Sequence, residues 1–195
     1  GCGGVGGGCG KVGGGRRGGA PVAPSSLRVA VVRFPRISNA TDVDAMAGET
    51  GGDVQVTTNP DTCQAADVLV LPGSRSTVSD LEWLRRSGIA DVVARRAEQG
   101  RTVVGICGGY QMLCRTILDP DGQETTPGSV VEGLGLLPVE VDFAATKTLA
   151  LSHGTWRGIE VGGYEIHHGV CRSLEDAEAS LDGVHVVPVG GTMWH

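Results

Sequence analysis

The stretch that most constrains this chain's fold is Arg101 to Leu113, RTVVGICGGYQML. Thr102 to Ile106 is an apolar run of strand length, and a helical run is predicted from Tyr110 to about Leu118. Between them Cys107 has a glycine two residues to either side, Gly105 and Gly109. A strand that turns at once into a helix forces strained backbone angles on the residue at the turn. It also crowds the neighbouring side chains, so the flanking positions call for glycine. A thiol at such a place stands at a helix N-terminus, where unpaired N–H groups and the helix dipole favour thiolate. The pattern is that of a nucleophile elbow carrying cysteine.

The segments upstream say what kind of sheet this elbow belongs to. Leu27 to Phe34 (LRVAVVRF) is nearly continuous in apolar residues, as in a strand buried on both faces. Pro35 ends it, and Ser38 or Asn39 is placed to cap a helix running to about Ala47, with Asp42 and Asp44 in its first turn. Asp53 to Thr57 and Asp67 to Leu71 read as further strands, the latter leading into Pro72-Gly73-Ser74-Arg75. Ser79 or Asp80 then opens an amphipathic segment with Leu81, Leu84, Ile89, Val92 and Val93 at helical spacing, notched at Ser87-Gly88. Alternation of strands and helices predicts an α/β fold with an open, mainly parallel, doubly wound sheet and its ligands at the carboxyl ends of the strands. The Gly73-Ser74 and Cys107-Gly108 loops would then be neighbours. After about Asp119, Gly133 to Phe143, Ile159 to Ile166 and Val184 to Val189 are short and rich in Gly and Val, which predicts antiparallel or mixed strands appended to the core.

The ends of the chain differ from its body. The first 19 residues hold 12 of the 33 glycines and no acidic residue, so residues 1–26 read as a disordered linker or non-native leader, and 27–195 as the folded domain. Three of the 16 basic residues lie in that leader, which leaves 13 against 22 acidic residues and makes nucleic acid a poor partner. No apolar run has membrane-spanning length. Cys63, Cys107, Cys114 and Cys171 show no disulfide framework, and no C-x-x-C pair offers a metal site. The body reads as reduced and cytoplasmic. Its stop at Met193-Trp194-His195, straight after an apolar strand and a Gly-Gly turn, reads as truncation.

A cysteine nucleophile needs a base, an oxyanion hole and groups that hold the substrate. The amide of Gly108 follows the nucleophile, and the Gly73-Ser74 loop offers a second N–H. Of the five histidines, His153 and His185 stand alone in loop or strand context, and His167 and His168 are adjacent on a strand, so one at most faces a site. His195 ends the turn Gly191-Thr192-Met193-Trp194-His195, at the tip of a strand.

Gly105 to Gln111, GICGGYQ, resembles the nucleophile motif of class I, triad-type glutamine amidotransferases. More narrowly, the chain resembles the C-terminal domain of the cobyric acid synthase family, of CobB/CobQ type. Arg33 to Asp44 (RFPRISNATDVD), Leu71 to Arg75 (LPGSR), GICGGYQML, Gly163 to Gly169 (GYEIHHG) and Gly191 to His195 (GTMWH) carry this resemblance, in the family's order. RFPRISNATDVD discriminates best, because generic amidotransferases have no such segment after their first strand. The resemblance implies a glutaminase that releases ammonia for ATP-dependent amidation of adenosylcobyrinic acid a,c-diamide in cobalamin biosynthesis. It makes Cys107 the nucleophile, His195 the general base, Gln111 a glutamine contact, and Gly73 and Gly108 the oxyanion hole. Tyr164, Glu165 and His167 fall in a family motif near the pocket, without an assigned role. The implied partners are L-glutamine, a synthetase domain and the corrinoid.

The family's synthetase half is not in this sequence. No G-x-x-x-x-G-K-[ST] occurs, and the body's one lysine, Lys147, lies in no phosphate-binding loop. ATP and Mg are therefore expected only in that other domain, and no cofactor in this chain. An amidotransferase subunit of a cell-wall precursor complex shares the elbow and the LPGS-type loop, and a non-catalytic fragment is the other alternative.

Overall fold

The computed structural model describes residues 26–38, 52–156, 159–174 and 192–194, with the backbone alone for 144–156, 159–168, 173 and 192–194. The expected leader, most of the helix expected from Ser38 or Asn39 onward, the strand expected at Val184 to Val189, and His195 lie outside the described residues.

The first sheet is built from β1 (Leu27–Val32), β2 (Gly52–Thr57), β3 (Val68–Leu71) and β4 (Val103–Gly105), all parallel, in the order β2-β1-β3-β4. Strand alternation gives it two apolar faces. Ala30, Val32, Leu69 and Leu71 join the main core, together with Leu81 and Leu84 of α2 (Thr77–Arg86) and Val92 and Val93 of α3 (Ile89–Glu98). Val29, Val31 and Val70 face the other way, against Val54, Val68 and Ile106. The apolar texture of β1 thus reflects burial on both sides, as expected. Gly88 separates α2 from α3 at φ 77°, the left-handed backbone that its lack of a side chain permits.

Two helices depart from expectation. A six-residue α1 (Pro60–Ala65) precedes β3, its start marked by the Asn59 side chain accepting from the Asp61 amide at 2.8 Å and by proline in the first turn. The helix after the elbow, α4 (Gly108–Met112), has five residues and does not reach Leu118. Thr116–Asp119 is a strand, β5. Thr116 and Ile117 are β-branched, and pairing with two neighbours outweighs a helical pattern that the short apolar run fitted equally well.

β5 belongs to a second sheet, with β6 (Ser129–Glu132), β7 (Val139–Trp156), β8 (Ile159–Ser173) and β9 (Thr192–Trp194), in the order β6-β5-β7-β8-β9. Its pairs are antiparallel except β5–β7, so the appended strands form a mixed sheet of their own. No helix among the described residues is long and apolar enough to cross a membrane.

Asp119, fully buried at the end of β5, organises the turn that follows. It accepts from the amides of Gln123, Glu124 and Thr125 and from the Thr125 hydroxyl, at 2.7 to 2.9 Å. Burial pushes its carboxyl pKa up, but these donors outweigh burial and hold it below the ordinary value. A depressed folded pKa gives stability that is present above the unfolded value, near pH 4, and lost as pH falls through the folded one. Asp119→Asn is therefore expected to lose about 2 kcal/mol at pH 7. In urea unfolding, the gap between variant and wild type should close below about pH 4.

Candidate active site

The carboxyl ends of three adjacent parallel strands converge. β1 runs out into residues 33–38, β3 into Pro72-Gly73-Ser74, and β4 into Ile106-Cys107. Cys107 has φ 50° and ψ −113°, and it is the one non-glycine residue with positive φ among those described. Strain of this kind persists only where surrounding structure dictates it. Here the glycines on either side do so. A Cβ on Gly105 would come within 2.7 Å of Tyr110 Cα, and one on Gly109 would overlap the carbonyl oxygen of Leu71. The expected steric reason for glycine at both flanks holds. The expected contribution of a helix dipole is smaller than the sequence suggested, because α4 is barely more than one turn long.

The two loops lie side by side, as a doubly wound sheet requires. A Cβ built on Gly73 would stand 3.7 Å from Cys107 Cβ, and one on Gly108 would stand 2.9 Å from the Ser74 nitrogen. Ser74 is pinned from below, its hydroxyl donating to the Asp80 carboxylate at 2.6 Å and accepting from the Ser76 amide at 3.0 Å. The sequence offers Ser79 or Asp80 as the opener of α2. Ser76 instead takes the N-cap position, and Asp80 turns inward, fully buried in the first turn of α2. Among the described residues, its second carboxylate oxygen has no hydrogen-bond partner.

Gln111, on α4, is 5% exposed and tied on both sides. The Thr77 hydroxyl donates to its Oε1 at 3.2 Å, and a Cβ on Gly169 of β8 would come within 2.5 Å of its Nε2. The amide thus lies between α2 and the second sheet. Glu124 reaches across from the Asp119 turn to accept from the Val78 amide at 2.7 Å, which caps α2 beside Thr77. Thr77, Asp80 and Glu124 went unrecognised in the sequence. Only the Ser-x-x-Thr spacing after Gly73 hinted at a capped turn.

The other expected site residues are placed only in part. Tyr164, Glu165 and His167 lie on β8, whose side chains at these positions are outside the description. β9 pairs with them through Gly163↔Trp194, Tyr164↔Met193 and Glu165↔Thr192, so the GYEIHHG and GTMWH segments are sheet neighbours. His195 itself lies outside the described residues. The other described thiols are all raised. Burial pushes Cys63 up to about 11 and Cys114 up to about 12, while Cys171 is raised to about 11 by burial and then by the nearby Cys107.

Comparison with known proteins agrees with this arrangement. Residues 28–187 match the model of the CobB/CobQ-like glutamine amidotransferase domain. A cobyric acid synthase of Cutibacterium acnes is 95% identical over 180 residues, covering 92% of this chain and 37% of that protein. A cobyric acid synthase of Rhodococcus jostii is 50% identical, covering 90% of this chain and 35% of that protein. The chain thus spans about a third of the length of these relatives. Among solved structures, a glutamine amidotransferase superposes with a TM-score of 0.57 at 20% identity, over 76% of this chain and 75% of the other. A chain of the PurLQS structure from Thermotoga maritima gives 0.55 at 18% identity, with 87% of each covered. At these identities the structures establish the fold alone.

Proposed function

The chain belongs to the CobB/CobQ-like glutamine amidotransferase family, and from that premise we propose that it hydrolyses glutamine with Cys107 as nucleophile. The observation that carries the reading is the strained backbone of Cys107 at the mouth of the sheet, with the Gly73-Ser74 loop against it. The thiolate sulfur attacks the side-chain amide carbon of glutamine, and the carbonyl electron pair moves onto oxygen. The amides of Gly108 and of the Gly73-Ser74 loop receive that charge. Collapse of the adduct breaks the C–N bond, and the nitrogen leaves as ammonia with a proton from the His195 imidazolium. A water molecule, deprotonated by the same imidazole, then attacks the γ-glutamyl thioester and releases glutamate and thiolate. Gln111, fixed between Thr77 and Gly169, forms one wall of the glutamine pocket.

We propose further that the ammonia serves the amidation carried out by a cobyric acid synthase, with the corrinoid, ATP and Mg held by a synthetase domain outside this sequence, in the cytoplasm. The relatives' name supports that destination. The test is ammonia release from glutamine by the purified chain, with and without Mg-ATP. Hydrolysis that is indifferent to nucleotide is the expected result, and absence of hydrolysis overturns the proposal.

A further inference from the structure

The segment that follows β1 has no part in the chemistry above, yet it is braced against the site from several directions. Phe34 is buried and meets Trp83 of α2 edge to face at 6.2 Å between ring centroids. Ile37 packs on the main core. Arg36 donates to the Ser79 hydroxyl at 2.5 Å. Its backbone then pairs with the loop after β3, where the Ser38 amide donates to the Gly73 carbonyl at 3.0 Å and the Arg75 amide to the Arg36 carbonyl at 2.8 Å. Together these bonds form an isolated antiparallel bridge between Ile37 and Ser74.

The product of this bracing is one hydroxyl in one place. Ser38 Oγ stands against the point that a Cβ on Gly73 would take, too close for both, and that same point lies 3.7 Å from Cys107 Cβ. Ser38 Oγ makes no hydrogen bond to any described residue, and the side chain is exposed at the mouth of the site. A rotatable O–H over Gly73, in the loop beside Cys107, can follow charge as it forms, which a satisfied hydroxyl cannot do.

We propose that Ser38 is a third donor of the oxyanion pocket: its O–H donates to the carbonyl oxygen of glutamine as the Cys107 sulfur bonds to the adjacent carbon. The proton stays on Ser38 throughout, so no bond of the serine is broken. The role rests on the glutaminase reading. It gives the Arg33 to Ser38 segment a chemical purpose, and it explains why position 73 is glycine, since any side chain there would expel the hydroxyl.

The experiment compares Ser38→Ala, Ser38→Thr and wild type in glutamine hydrolysis and thermal unfolding. Ser38→Ala keeps the amide that pairs with Gly73, so its melting temperature should match wild type. Its kcat should fall roughly 10- to 100-fold with KM within about two-fold, and Ser38→Thr should recover most of the rate. Equal kcat in wild type and Ser38→Ala overturns the role of Ser38 and leaves the glutaminase standing. A change confined to KM also overturns it, because the hydroxyl would then bind ground state and transition state alike. Absence of hydrolysis in the wild-type chain overturns both readings.

Discussion

Cys107→Ala is expected to abolish glutamine hydrolysis, with a loss on the order of 10⁴-fold or more, because nothing else described in the protein can substitute for the nucleophile. Cys107 is partly exposed at the strained turn, while two of the other three described thiols are withdrawn. Cys63 and Cys114 are fully buried, and burial raises both far above neutral pH. Cys171 is only partly buried but is raised to about 11, so it too is protonated where an enzyme of this kind works. A diazo-ketone analogue of glutamine should therefore label the wild-type chain at Cys107 in a one-to-one ratio and leave Cys107→Ala unlabelled. Cys171→Ala should label as wild type does. Stoichiometric labelling that persists in Cys107→Ala would mean that the nucleophile lies elsewhere.

Arg96→Met is expected to cost about 3–5 kcal/mol of stability, the largest effect of any substitution outside the site. Arg96 is fully buried on α3 and donates to the carbonyls of Cys63, Gln64, Ala66, Asp67 and Thr102, at 2.8 to 3.3 Å. These are the last carbonyls of α1, the entry to β3 and the entry to β4, so one guanidinium joins three elements. Burial, and then the neighbouring Arg101 cation, lower its pKa, which measures how unfavourable the position is for charge. A methionine would fill the volume but leave the carbonyls without their donor, and each orphaned buried group costs about 1–3 kcal/mol. Arg101 donates to two of the same carbonyls, Gln64 and Ala66, and softens the loss there. Urea denaturation of Arg96→Met and Arg101→Met makes the comparison. A loss below about 1 kcal/mol for Arg96→Met would show that water takes over the carbonyls.

Why the elbow was legible and Arg96 was not comes down to what sequence periodicity records. Gly105, Cys107 and Gly109 state a steric requirement directly, and continuous apolar strands state burial on two faces. The position of Arg96 in an amphipathic helix reads as a solvated face, since its burial depends on carbonyls supplied by α1, β3 and β4. α1 was legible in principle, because Asn59-Pro60-Asp61 spells a helix start, but its six residues are too few for a period to show. Cys114 to Leu118 illustrates the opposite difficulty. Its apolar residues suit helix and strand alike, and only partners distant in sequence decide between them. At the site, the elbow pattern picked out Cys107 and Gly108, the strand-end topology the Gly73-Ser74 loop, and the family resemblance Gln111. Nothing in the sequence showed that Gln111 would be clasped by Thr77, or that the Ser38 hydroxyl would lie against Gly73.

The strand order β2-β1-β3-β4 also sets a sequence of events during synthesis. Of these four strands, the first made lies in the interior of the sheet, and the one that leads into Cys107 is the last to emerge from the ribosome and pairs at the edge, beside β3. The loop after β3 and the segment after β1, which bridge at Ile37 and Ser74, are both complete in the chain before Cys107 is made. Until β4 pairs, Cys107 lacks the forced turn. The strained turn at Cys107 is thus coupled to completion of the parallel sheet.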